Sequence, residues 1–286
     1  YREACTQDEF KIVLDEFAES QLDLLVIIAG DGTVHAVLSH IFGAQAKAFT
    51  PLLSIIPAGT TNMTAKDFNI SGKPEKVLKR LLSLLAVSGP YPSVARPVLR
   101  IKNGDNAAQY GMFFGTGIIA EGVDYFHKRV RGLGITGERA SGIVLLRYLF
   151  SLLTGRKGSD SGKTEIHIQY DDEISRDEHC LLIFATSLDR LLLGMRPYWG
   201  RQQQAVHVTL IKPSPRRLWW SIWPLLCGKG SVLSEQDGYN SCNVASLNIL
   251  ISDNFIIDGE IYRADREKGA IHITANDTII VIDINT

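Results

Sequence analysis

Apolar positions in the first third of the chain follow two alternating patterns. Leu24-Leu25-Val26-Ile27-Ile28 and Leu52-Leu53-Ser54-Ile55-Ile56 are short, β-branched runs with the length of buried strands. Between and around them, apolar residues recur every three or four positions. Val34, Val37, Leu38, Ile41 and Phe42 make one face of a helix, and Leu78, Leu81, Leu82 and Leu85 make another that begins at Pro74 and runs to about Val87. Further helices are expected over Glu9–Ser20 and from Met63 to Phe68. This alternation predicts a parallel sheet covered by helices.

Ser88-Gly89-Pro90-Tyr91-Pro92-Ser93 breaks the rhythm and is the expected boundary between a domain over residues 1–93 and a second over 94–286. Beyond it the pattern has a period of two. Strands are expected at Val98–Lys102, Gln109–Phe114, Thr164–Tyr170, Cys180–Thr186, Ala205–Ile211, Leu247–Ile251, Asn254–Tyr262, Ala270–Thr274 and Thr278–Ile284. Turn chemistry such as Asn103-Gly104 and Asp171-Asp172 separates most of them, as in an antiparallel β domain. Two helical stretches, about Glu121–Val130 and Ala140–Leu153, interrupt it.

Composition narrows the classes. The 286 residues are 45% hydrophobic and 21% charged, with a net charge of −1. That balance fits a soluble globular chain and offers no electrostatic case for nucleic acid. Cys5, Cys180, Cys227 and Cys242 contain no C-x-x-C pair, which argues against a zinc site or disulfide framework and fits a reducing cytoplasm. No apolar run approaches the ~20 residues of a membrane-spanning helix, so any membrane contact is expected to be peripheral.

Candidate chemistry lies where strands end. Gly30-Asp31-Gly32-Thr33 joins the first strand to a helix, a turn where backbone N–H groups and the helix N-terminus favour anions such as phosphate. Pro57-Ala58-Gly59-Thr60-Thr61-Asn62 occupies the same place after the second strand. Two such loops on neighbouring parallel strands line one crevice, the usual ligand site of an open α/β sheet. Asp258-Gly259-Glu260 follows the apolar Phe255-Ile256-Ile257 near the C-terminus. Read singly, Asp31 is a helix cap, Asn62 a connection and Asp258-Gly259 a hairpin turn.

In this order the three motifs resemble those of the diacylglycerol kinase catalytic-domain family, which includes bacterial lipid kinases, sphingosine kinases and ceramide kinases. The resemblance spans nearly the whole chain. It implies a Rossmann-like parallel α/β nucleotide domain, an antiparallel β-sandwich-like second domain and an active site in the cleft between them. It implies ATP and Mg²⁺ as cofactors, with Gly30, Asp31, Gly32, Thr33, Gly59, Thr60 and Asn62 at the nucleotide and Asp31 as a Mg²⁺ candidate. Thr6 matches a further family threonine at the nucleotide. Glu260 stands where bacterial members have their proposed proton acceptor, with Asp31 and Asp258 as the other catalytic carboxylates. Glu121 matches an acidic position near the lipid headgroup, where it replaces Asp. Ala29 and Ala36 depart from the pattern, standing where the family usually has Gly and often has Glu. Members of the family open with a further strand and glycine loop, a unit expected to be missing here.

Two glycine patterns, Gly115 to Ala120 and Gly132 to Gly137, match dinucleotide fingerprints but lack the β-α-β context and are read as decoys. Lys128, Arg129 and Arg131 read as a solvated face with a phosphate contact as the alternative. Trp219, Trp220 and Trp223 beside Arg216 and Arg217 suit a membrane interface as well as a core; a second basic-apolar stretch, Leu146 to Lys157, could join that surface. The expected protein is a cytoplasmic, peripherally membrane-associated ATP-dependent kinase acting on a hydroxyl of a diacylglycerol-like or sphingoid lipid. It makes no use of nucleic acid, and a homodimer is compatible with it. The alternatives are an NAD kinase-like enzyme, disfavoured by the lack of any Asn-Glu dipeptide, and a non-catalytic lipid-binding pseudokinase.

Overall fold

The computed structural model describes residues 1–4, 6–43, 49–87, 90–125, 127–128, 164–173 and 175–284. The first region runs α1 (Gln7–Glu19), β1 (Leu24–Ala29), α2 (Asp31–Ile41), β2 (Leu52–Pro57), α3 (Met63–Asp67) and α4 (Pro74–Leu85). β1 and β2 pair in parallel from Leu24 opposite Leu52 to Ala29 opposite Pro57. Both run so that their C-terminal ends release the two glycine loops side by side. Thr6 starts α1 by accepting from the Glu9 N–H while Glu9 returns the favour to the Thr6 N–H, a capping box. Pro74 opens α4, where its missing N–H costs nothing.

The remainder is antiparallel. β3 (Ser93–Asn103) and β4 (Gln109–Gly111) are followed by β5 (Phe113–Gly117), α5 (Ile118–Tyr125), β6 (Thr164–Tyr170), β7 (Arg176–Cys180), β8 (Leu182–Thr186) and β9 (Val206–Ile211). Then come α6 (Leu218–Leu226), β10 (Tyr239–Val244), β11 (Ser246–Leu250), β12 (Asn254–Ile257), β13 (Glu260–Arg263) and β14 (Ile271–Ile282). One sheet has the order β1-β2-β14-β11-β6-β7, with β3 also paired to β14 and β4 paired to β3. The other has the order β10-β9-β8-β5-β12-β13. The two-part fold expected from the sequence is therefore present. The first sheet is continuous through residue 93, because β14 lies parallel to β2 at Val281 and Leu53 and antiparallel to β3 along its length.

Two cores result. Val34, Leu38, Leu53, Ile55, Ile56 and Leu81 are buried among the helices and the parallel strands. Phe114, Ile168, Ile183, Val208, Ile249, Phe255 and Ile273 fill the space between the two sheets. Each such side chain contributes ~1.5–3 kcal/mol of burial before entropy is counted.

Several expected strands divide where the chain changes sheet. Gln109–Phe114 is β4 and β5, with Met112 as the crossing residue, and Cys180–Thr186 contains the crossing from β7 to β8 at Leu181. Apolar Met112 and Leu181 carry no turn signal, so the pattern runs straight through them. Conversely, Ala270–Thr274 and Thr278–Ile284 are one strand whose register slips between Thr274 and Asp277. The polar residues there mark a bulge and not a turn. β10, α6 and all of β7 but Cys180 had no predicted counterpart. The helix expected at Ala140–Leu153, the glycine pattern Gly132 to Gly137, Arg129, Arg131 and the stretch Leu146 to Lys157 lie outside the described residues. Among those described, no helix is long and apolar enough to cross a membrane.

Candidate active site

The two glycine loops touch. The Ala58 N–H donates to the Ala29 carbonyl at 3.0 Å, and a Cβ added to Gly59 would fall on the Gly30 Cα. Asn62 shapes the second loop from within: its Oδ1 accepts from the Gly59 N–H and its Nδ2 donates to the Gly59 carbonyl, both at 2.8 Å. It does so from the left-handed region, at φ +47°, where Asn is among the few tolerated side chains.

Asp31 fastens the first loop to the second. Its Oδ2 accepts from the Met63 N–H and its Oδ1 from the Thr64 N–H, each at 2.9 Å. The side chain that begins α2 thus caps α3, whose own N-cap residue makes no such bond. Burial pushes the Asp31 carboxyl above its ordinary range, and the two amides and Lys66 oppose that rise. Of the two helices that follow the glycine loops, α3 is satisfied in this way and α2 starts at Gly30 without a side-chain cap. The α2 N-terminus, with Gly30, Gly32 and the half-buried Thr33, could hold a phosphate.

The C-terminal motif faces it. Asp258 and Gly259 form the two-residue turn between β12 and β13, with Ile257 paired to Glu260 and φ of +48° and +92° at the turn residues. Positive φ at both central positions is what a tight hairpin with the native twist requires. The Asp258 side chain turns inward and accepts from the Met112 and Phe113 N–H groups at 2.9 Å each. Burial raises its carboxyl well above the usual range, and the charge of nearby Asp31 adds to the rise. Glu260 is exposed, and its carboxylate lies over the first turn of α2: a Cβ on Gly32 would sit 2.6 Å from Glu260 Oε1. The three carboxylates are brought together as the sequence indicated, but with unequal tasks. Asp31 and Asp258 are turned onto backbone amides, and Glu260 alone is at the open face.

Behind Glu260 are residues the motifs did not single out. His35, one turn along α2 from Gly32, is buried. Its Nδ1 lies 2.8 Å from the Tyr110 carbonyl, so that nitrogen carries the proton. Its Nε2, 2.7 Å from the Tyr262 hydroxyl, then accepts from it. Burial lowers the His35 basicity, which keeps this arrangement neutral. Burial and the Glu260 and Asp258 charges push the Tyr262 hydroxyl up to about 12. Tyr262 follows Glu260 by two residues on β13, hence on the same side of the strand, and that spacing was the available signal. His35 was hidden as one position of an otherwise apolar helix face.

α3 is also pinned at its other end. Asp67 accepts from Arg96 Nε and from the Arg190 N–H, both at 2.8 Å, and Arg96 bonds Asp189 as well.

Thr6 is exposed and serves as the α1 cap. Thr60 is exposed on the second loop. Glu121 is in the first turn of α5, where burial and the Asp253 charge raise its carboxyl. Asp253 precedes β12 and Asp258 follows it, so Glu121 is at the far end of that strand from Glu260. Lys128 pairs with Asp124 at 2.7 Å on an exposed surface. Trp219, Trp220 and Trp223 are exposed and form no part of the core.

Among the described residues no group of three His, Cys, Asp or Glu side chains could hold a metal ion. With both Asp31 oxygens on amides, these residues do not make a protein-only Mg²⁺ site. Magnesium is normally held by one or two carboxylates together with substrate phosphates and water.

Residues 2–87 match the diacylglycerol kinase catalytic domain. Among solved structures, a diacylglycerol kinase from Bacillus anthracis str. Sterne aligns at 16% identity, covering 98% of this chain and 82% of that one, with a TM-score of 0.58. A further structure from that organism, assigned as a diacylglycerol kinase, aligns at 18% identity over 98% and 82% of the two chains, with a TM-score of 0.59. At these identities the likeness is one of fold. No curated protein matches the chain.

Proposed function

We propose, from the match of residues 2–87 to the diacylglycerol kinase catalytic domain, that this chain is an ATP-dependent lipid kinase. It transfers the γ-phosphoryl group of ATP to a hydroxyl of a diacylglycerol-like or sphingoid lipid. The observation that supports the reading is the exposed Glu260 carboxylate over Gly32, at a glycine-loop helix start that has no side-chain cap.

The chain's own residues divide the work. Gly30 and Gly32 let phosphate oxygens approach the α2 backbone, and the Thr33 hydroxyl donates at the same place. Asp31 and Asn62 hold the two loops in fixed relation, so the nucleotide meets a preformed surface. Glu260 accepts the proton of the attacking hydroxyl as that oxygen bonds to the γ-phosphorus and the bond to the bridging oxygen breaks, releasing ADP. His35 and Tyr262 keep β13 against α2, which fixes Glu260 relative to the phosphate. Mg²⁺, bound with the triphosphate, would neutralise charge developing on the phosphate oxygens. A lipid acceptor resides in a bilayer, so the enzyme works at a membrane surface.

Incubation with γ-labelled ATP and a panel of diacylglycerol, sphingosine and ceramide in mixed vesicles, with NAD as a soluble competitor, tests this. Label in one lipid class, lost in Glu260→Gln, is the expected result. Label in NAD alone would replace the lipid acceptor with a dinucleotide. ATP binding with no transfer to any acceptor would mark a pseudokinase.

A further inference from the structure

We propose that α6 docks the protein on an anionic lipid bilayer. Leu218–Leu226 presents Trp219, Trp220 and Trp223 at 62%, 84% and 74% exposure, while Ser221 and Leu225 face inward at 4% and 7%. At about 100° per residue the three rings span roughly 100° of the helix surface, on the side away from Ser221 and Leu225. The short helical turn Gly230–Val232 packs on α6, and its Val232 is itself 74% exposed. Three of the chain's four tryptophans are thus in solvent on one helix.

The charge around this patch identifies its occupant. From Lys212 to Ser234 the chain holds Lys212, Arg216, Arg217 and Lys229 and no Asp or Glu, although the whole chain is at −1. Lys212 pairs with Glu178 at 3.0 Å, but Arg216, Arg217 and Lys229 are exposed around the rings. The acids that follow are engaged elsewhere, Glu235 3.8 Å from Arg176 and Asp237 accepting from the Ser234 hydroxyl at 2.8 Å. Indole rings at the headgroup level with cations beside them are the arrangement that binds an anionic membrane interface.

α6 is remote from the phosphate site. It connects the Ile211 end of β9 to the Tyr239 end of β10, and the strand pairings align that end of the second sheet with Leu182, Gly117 and Asn254. Asp258 and Glu260 occupy the opposite end. Docking therefore stands whether or not lipid is the phosphoryl acceptor, and it is measurable without ATP.

The experiment is co-sedimentation of the full chain with vesicles of phosphatidylcholine alone or mixed with phosphatidylglycerol. The expected result is binding to the anionic vesicles that weakens with salt, with a blue shift of tryptophan emission. Replacing Trp219, Trp220 and Trp223 with Ala should reduce vesicle binding at least tenfold while ATP hydrolysis in solution is retained. Arg216→Glu with Arg217→Glu should remove the preference for anionic lipid. Should the triple variant fail to fold, quenching of wild-type emission by doxyl-labelled lipid decides in its place. Unchanged vesicle binding in a folded triple variant, or no quenching, overturns the proposal. So does a wild-type dimer that the triple variant converts to monomer with vesicle binding unchanged, since the occupant is then a second copy.

Discussion

His35 Nε2 accepts the Tyr262 hydroxyl at 2.7 Å, and this bond joins α2 of the N-terminal region to β13 of the C-terminal region. Tyr262→Phe leaves a buried ring nitrogen without a donor, which costs about 1–3 kcal/mol. Urea unfolding should show a loss of that order, and turnover should fall with it because β13 carries Glu260.

Glu260→Gln is expected to lower kcat at least a hundredfold, on the order of general-base effects, while ATP affinity and melting temperature stay close to wild type. Glu260 is exposed, so its replacement disturbs no core. Isothermal titration with a non-hydrolysable ATP analogue separates the two effects. A collapse of affinity with turnover preserved would make Glu260 a nucleotide ligand.

Asp31→Asn should lose activity by a similar factor and, unlike Glu260→Gln, should also lower stability. Its carboxamide has one acceptor for the two amides of Met63 and Thr64 and points a donor at the other. The expected loss is ~1–3 kcal/mol, the cost of an unmade buried bond, read from paired melting and turnover measurements.

Two glycine-to-alanine changes should separate chemistry from architecture. In Gly32→Ala the new methyl meets the flexible end of Glu260, so turnover falls while the melting temperature barely moves. In Gly59→Ala it meets the Gly30 backbone, so the two loops must part. Stability and nucleotide binding should then fall together.

His35 sets a pH dependence. Its folded value is lowered by burial from the ordinary 6.5, so above 6.5 the ring is neutral both folded and unfolded. As pH falls below 6.5 the unfolded chain takes up a proton that the folded chain resists, and stability is lost down to the folded value. Asp31 and Asp258, raised by burial, act with the opposite sign. Their contribution is full below 3.8 and is lost as pH rises through their raised values. Those two are common to wild type and His35→Gln, so the difference between the two melting curves from about pH 7 to pH 5 isolates His35. The wild type should show the steeper fall on acidification.

What the sequence made legible follows from where local chemistry is sufficient. Pro74 and the strand-to-helix glycine turns declare themselves within a few residues, and each is found as expected; Asn254–Tyr262, expected as one strand, is instead folded back on itself at Asp258-Gly259, the turn that this dipeptide offered as the alternative. The division of labour among Asp31, Asp258 and Glu260 was not legible. It depends on which backbone amides lie opposite, and Met63, Thr64, Met112 and Phe113 reach those carboxylates only through the tertiary fold. The sheet crossings at Met112 and Leu181 were invisible for the same reason: an apolar residue with no turn signature looks alike within a strand and between two. Exposure of the α6 tryptophans was equally beyond a pattern that suited a core as well as a surface.

β14 has a mechanical consequence. Ten of its residues, from Ile271 to Ile282, are paired with β3, and the strand also touches β2 near one end and β11 near the other. β3 and β14 thus run together from the β11 end of the sheet to the β2 end, so a swing of one region against the other has to bend a paired two-stranded ribbon and not a single linking strand. On the proposed mechanism, a stiff connection of this kind would make the separation between Gly32 and Glu260 a ruler for the acceptor hydroxyl, with selectivity set by how far that hydroxyl projects from the rest of its molecule.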